Sequence, residues 1–178
     1  MIRLAVFALT GVLLGGHSSA MAAAPTEDAW MARAYAADNL ADAARPADVP
    51  KLILLLKDGA GAVRAAGARG LGYVGDERAV DPLIAALDDD SATVRGWAAY
   101  ALGQIGKARA AEGLASRLDD PVEDVRSAVL TALKRLGPAA TDGLIAALSH
   151  ERAQVRADAA ELLGQMQRAK AIPRLAEL

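Results

Sequence analysis

The sequence predicts an all-α protein, an α-solenoid of about four stacked helix pairs with partial capping repeats. Three observations carry this. Val63-Arg64, Val94-Arg95, Val125-Arg126 and Val155-Arg156 recur at intervals of 31, 31 and 30 residues, and a fixed period of that size marks stacked structural repeats. Each pair opens a run of small residues, and three of the four runs end on glycine: Gly75, Gly106 and Gly137. Hydrophobic residues make up 53% of the 178, yet aromatics only 3%. The core must then be built from Ala, Leu, Val and Ile, which suits close-packed helices and not a β-sandwich.

The first residues have the order of a secretory signal. Arg3 supplies the positive region, Leu4 to Leu14 an apolar run, and Ala20-Met21-Ala22 the small-x-small cleavage site. The apolar run is short of the ~20 residues that span a bilayer. Cleavage is expected after Ala22, with Ala24 as the alternative that Pro25 disfavours; an uncleaved anchor is the competing reading. With no Cys in the chain, a lipoprotein anchor, disulfides, thiolate metal sites and Cys nucleophiles are excluded. The expected location is exported, periplasmic or secreted, with no stable membrane insertion once the signal is removed. A formal net charge of −2 argues against a dedicated nucleic-acid binder, which would show a basic stripe.

Thr26 can cap a helix to about Ala44, with Glu27 and Asp28 in its first turn, where the helix dipole favours negative charge. One period back from Val63-Arg64 stands Ala32-Arg33, Leu40 aligns with Leu71, and Glu27 with Asp58. The helix therefore reads as the second helix of a partial repeat, capping the apolar end of the stack. Full repeats follow at about 45–75, 76–106, 107–137 and 138–167. Their first helices carry the i,i+4 pairs Leu52/Leu56, Leu83/Leu87, Leu114/Leu118 and Leu144/Leu148, the spacing of one buried face. Pro50 and Pro82 fall in first turns, where a missing N–H costs little. Second helices bury their Val and the apolar residues eight and eleven positions on, Val94, Leu102 and Ile105 in the second repeat, and end on a glycine suited to a left-handed cap. Ile172 to Leu178 keeps the register as a C-terminal cap or a truncated repeat. The division is thus 1–22 signal peptide, 23–44 capping helix and 45–178 repeat array.

An acidic residue stands six positions before three of the four arginines: Asp58 before Arg64, Asp89 before Arg95, Asp120 before Arg126. His150 takes that place before Arg156. The run Arg78-Ala79-Val80-Asp81-Pro82-Leu83-Ile84-Ala85-Ala86-Leu87, with Val94-Arg95-Gly96-Trp97-Ala98-Ala99-Tyr100-Ala101-Leu102-Gly103-Gln104-Ile105-Gly106, resembles a bacterial HEAT-like repeat of the short type seen in phycobilin lyases. The resemblance extends over about 26–178. It implies a right-handed solenoid with first helices on the convex side and second helices on the concave side. It also implies an Asp/Arg ladder between neighbouring repeats, broken where His150 replaces Asp. A carboxylate with each Arg is a strong paired unit, and this outweighs reading the arginines as a polyanion-binding row.

Two enzyme types share this repeat. Deoxyhypusine hydroxylase-like proteins carry His-Glu dyads after the Val-Arg of several second helices. Those places hold Ala65-Ala66, Gly96-Trp97, Ser127-Ala128 and Ala157-Asp158 here. A metal site needs several donors, and outside the signal the chain has His150 alone, so no metal or cofactor is expected. His150 reads as a helix cap or ladder substitute. Phycobilin lyase-like activity would require a chromophore groove and an intracellular setting, against the signal. Ser149 beside His150 makes no nucleophile elbow. The expectation is a protein without catalytic residues.

The remaining signal is aromatic. Positions three, six and ten after each Val avoid the buried stripe, and they hold Arg69, Tyr73, Trp97, Tyr100 and Gln104 in the first two full repeats, with Tyr35 in the cap. Aromatics beside Arg are what protein-binding hot spots are made of, though the same rings could instead fill space between repeats. The functional expectation is a monomeric, non-catalytic scaffold or adaptor that binds a protein or peptide on its concave face. The alternative is an enzyme of the hydroxylase-like or lyase-like type.

Overall fold

The computed structural model describes residues 27–166, and among them every regular element is helical. The signal, Thr26 and the C-terminal cap lie outside the described residues. The helices are α1 (Glu27–Asp42), α2 (Val49–Leu55), α3 (Gly61–Val74), α4 (Val80–Ala86), α5 (Ala92–Ile105), α6 (Ala110–Ala115), α7 (Glu123–Leu136), α8 (Thr141–Ala147) and α9 (Ala153–Gln165). Short first helices alternate with long second helices, and the pairs stack as an α-solenoid. No helix among the described residues is long and apolar enough to cross a membrane.

Isolated helices of six or seven residues are unstable in water, so burial must hold α2, α4, α6 and α8. Leu52, Leu83, Leu114 and Leu144 are each fully buried, as are Leu71, Leu102, Leu133 and Leu163 of the second helices. At about 1.5–3 kcal/mol for each large apolar side chain, this repeating double row is the main source of stability. Local signals set the ends. Asp58, Asp89 and Asp120 each accept the backbone N–H two residues on, from Ala60, Ser91 and Val122, at 2.8, 2.9 and 2.9 Å. This is the turn an Asp side chain favours before a helix. His150 does the same through Nδ1, accepting from the Arg152 amide at 3.1 Å. Gly75 and Gly106 close α3 and α5 at φ +70°, their amides donating to Leu71 and Leu102 carbonyls.

Second helices approach one another closely because glycine and alanine meet along the seam. A Cβ on Gly70 would stand 2.9 Å from the Cα of Ala41, one on Gly72 3.0 Å from that of Ala101, and one on Gly103 2.8 Å from that of Ala132. These contacts join α1 to α3, α3 to α5 and α5 to α7. They also set a stagger: a residue nine positions after the repeat Val meets one seven positions after the next. The positions that would continue the seam hold Lys134 and Leu162, and α7 and α9 scarcely touch. The intervening turn is one residue shorter and carries Gly137 directly before Pro138. A proline disfavours the helical region for its predecessor, and Gly137 takes φ +54°, ψ −122°, a conformation open to glycine but not to L side chains. The second helix of the fourth repeat therefore packs less closely on its neighbour than those before it.

Candidate protein-binding groove

The arginines that follow each repeat Val tie neighbouring repeats together. Arg64 donates Nε and Nη2 to the two carboxylate oxygens of Asp89, both at 2.7 Å, and Nη1 to the Asp58 carbonyl at 3.0 Å. Arg95 repeats this with Asp120 at 2.7 and 3.0 Å and with the Asp89 carbonyl at 2.9 Å. Arg33 of α1 engages Asp58 at 3.0 and 3.3 Å. Each Arg thus holds the backbone of its own turn and the carboxylate of the next. Arg126 keeps the carbonyl of Asp120 at 2.8 Å. His150 stands where the pattern would place its carboxylate, and Arg126 forms no ion pair among the described residues. Arg156 binds the carbonyls of His150 and Glu151 at 2.9 and 2.8 Å.

The environment of these carboxylates favours the charged form. Burial pushes the Asp120 carboxyl up, but the Arg95 guanidinium and the Val122 amide together hold it below the usual carboxylate range. Burial likewise opposes ionisation of Asp89, and Arg64, the Ser91 amide and Asp90 overcome it. The Ala60 amide and Arg33 lower Asp58.

Behind this polar seam the second helices form a groove. Tyr73, Trp97 and Tyr100, with Gly96, Val122 and Asp124, line most of a cavity of about 510 Å³ between α3, α5 and the start of α7. Trp97 and Tyr100, one helical turn apart, meet edge to face with centroids 5.5 Å apart and planes at 88°, a favoured aromatic geometry. Arg69 lies 5.9 Å from the Tyr73 centroid and 6.0 Å from that of Trp97. Its charge is held by Asp38 and Asp42 of α1 at 2.8 and 2.9 Å. Tyr73 is 52% exposed, while Trp97 and Tyr100 are half-buried, each with a face for packing and a face for solvent.

Four of the five residues read from the sequence as a patch are therefore brought together: Arg69, Tyr73, Trp97 and Tyr100. Gln104 is exposed and stands apart from the cavity lining. The stagger between second helices is the reason, since simple side-by-side alignment would have set Gln104 next to Tyr73. Ala66, in the same column as Trp97, is buried against α1 beside Ala37 and Val63. Three contributors stand outside that set of five. Arg135 reaches back from α7 to lie 5.7 Å from the Tyr100 centroid. Val122 and Asp124 come from the turn before α7 and its first residues, a part of the repeat outside the columns counted. An offset count extended into the preceding turn would have found them.

Three segments, 19–91, 49–134 and 111–178, match the pattern of the HEAT repeats. No curated protein matches the chain. Among solved structures, the complex of CpcE and CpcF of phycocyanin lyase from Nostoc is similar at 27% identity and a TM-score of 0.61, covering 91% of this chain and 72% of that one. An engineered protein is similar at 19% identity and a TM-score of 0.58, covering 85% and 81%. A second engineered protein is similar at 20% and 0.54, covering 89% and 48%. With matches over nearly all of its length, the chain belongs to the HEAT-repeat family.

Proposed function

We propose that this protein is a non-catalytic adaptor that binds a segment of a protein partner along its second helices, and that it does so as an exported monomer. The observation that carries the reading is the groove itself. Three aromatic side chains converge on one cavity and are held there by ring–ring and guanidinium–ring contacts. Large rings fixed before binding lose little entropy on complex formation, which is how anchors of this type contribute affinity. The one His among the described residues is engaged in capping α9, and no group of three His, Cys, Asp or Glu side chains suited to a metal occurs there. Export rests on Arg3, the apolar run and Ala20-Met21-Ala22. Capture of a protein from host envelope extract by the wild-type chain, and its loss with the Trp97→Ala/Tyr100→Ala variant, tests the reading. Equal capture by both chains overturns it.

The likeness to the CpcE–CpcF complex favours one second reading, a lyase-type subunit acting together with another repeat chain. Recovery of the protein in a stoichiometric pair with a second repeat chain, active on phycocyanin, would establish it in place of the adaptor.

A further inference from the structure

We infer that the groove selects a partner segment carrying a basic side chain, Lys or Arg, whose charge meets Asp124 while its alkyl stem lies against the rings. This rests on the reading of the groove as a protein-binding surface and adds the chemistry of what enters it. Asp124 is the one charged residue among those lining the cavity. It makes no ion pair or hydrogen bond among the described residues. It sits in the first turn of α7, and Glu123 beside it adds to the negative potential. An uncharged occupant that displaced water from the cavity would leave this carboxylate desolvated and unpaired, which is costly. An acidic occupant would be repelled. A basic one satisfies Asp124 and places a cation against aromatic rings, a favourable arrangement in its own right.

The chain applies the same chemistry to itself one step away. The Arg69 guanidinium lies against Tyr73 and Trp97 and is closed off by the carboxylates of Asp38 and Asp42. Because two carboxylates bind that one guanidinium, Arg69 does not make the groove cationic. Arg135 belongs to an adjoining cavity of about 220 Å³ that shares Tyr100. The stem of Lys or Arg, which covers apolar surface while its head stays polar, suits a wall of Val122, Val125 and Trp97 ending at Asp124.

The test uses the full chain and three acetylated, amidated heptapeptides, Ala-Leu-Ala-X-Ala-Leu-Ala, with X as arginine, norleucine or glutamate. Binding is read from the indole N–H resonance of Trp97, assigned with the Trp97→Phe variant. The expected order is arginine, norleucine, glutamate, with about a tenfold preference for arginine over norleucine, the combined worth of one exposed ion pair and one cation–ring contact. Asp124→Asn should bring that preference to within about twofold, and Asp124→Lys should turn it toward glutamate. Both substitutions are at an exposed position, and unchanged far-ultraviolet helicity verifies the fold. If arginine and norleucine peptides bind equally and Asp124→Asn changes nothing, the basic-residue inference fails while the groove reading stands. If no peptide shifts the Trp97 resonance, or Trp97→Ala/Tyr100→Ala leaves binding intact, the groove reading fails and takes this inference with it. Concentration-dependent dimerisation abolished by Trp97→Ala would assign the groove to a second copy and overturn the proposal.

Discussion

Gly103 of α5 lies so close to Ala132 of α7 that an added Cβ would stand 2.8 Å from the Ala132 Cα. Real side chains do not tolerate that distance from backbone, so the helices would have to part. Gly96, in the same helix, has nothing within 4 Å of the place a Cβ would take. The two glycines should respond to alanine with opposite signs. Gly103→Ala should destabilise by about 1–3 kcal/mol through overpacking. Gly96→Ala should stabilise by about 0.5–1 kcal/mol, because alanine suits a helix interior better than glycine. Urea midpoints of the two variants check both signs.

Arg95 and Arg109 provide a second contrast. The Arg95 side chain is 11% exposed and its partner Asp120 2% exposed. Arg109 is more than half exposed and reaches the Glu77 carbonyl at 3.2 Å. Arg95→Ala leaves a buried carboxylate without its cation and should cost about 3 kcal/mol. Arg109→Ala should cost about 0.5 kcal/mol or less. Equal shifts in denaturant midpoint would show that the pairs between repeats contribute no more than surface charges.

Acid should weaken the fold through the same pairs. Asp58, Asp89 and Asp120 are all held below their ordinary values. A carboxylate lowered by folding contributes stability that is present above its unfolded pKa of about 3.9 and is lost as pH falls through its lower folded value. Stability should therefore be level near neutrality and fall progressively below about pH 4. Asp120→Asn should be less stable at pH 7 and show a shallower acid loss, measured by urea titration across that window.

His150 interrupts the ladder, which makes its repair a direct experiment. His150→Asp would offer a carboxylate to Arg126 and keep an acceptor for the Arg152 amide. The expected gain is about 1 kcal/mol, a modest pair diminished by the nearby Asp119. No gain, with Arg126→Ala silent in both backgrounds, would show that the fourth repeat stands too far from the third for the pair to close.

Most of the fold was legible because the sequence states it several times. The Val-Arg period, the Asp six residues before and the terminal glycine each recur, and each corresponds to a distinct physical role: core, inter-repeat pair, turn and cap. The exceptions were less legible because they occur once. Gly137 occupies the glycine position of the pattern, but Pro138 changes which conformation it can adopt. Lys134 and Leu162 lie at seam positions that become visible only when the stagger between helices is known. That stagger also explains the groove. Trp97 and Tyr100 are neighbours within one helix, so their spacing alone placed them together, whereas placing Gln104, Arg135 and Asp124 required the offset between helices, which periodicity does not contain.

Binding of a protein segment in the aromatic groove is open to calorimetry. The most direct measurement is the calorimetric affinity of the wild-type chain and of Trp97→Ala/Tyr100→Ala for the partner recovered from envelope extract. If the groove binds the partner, the variant should bind at least about thirtyfold more weakly, ~2 kcal/mol, with far-ultraviolet helicity unchanged. Equal affinity in a variant that retains its helicity would contradict it.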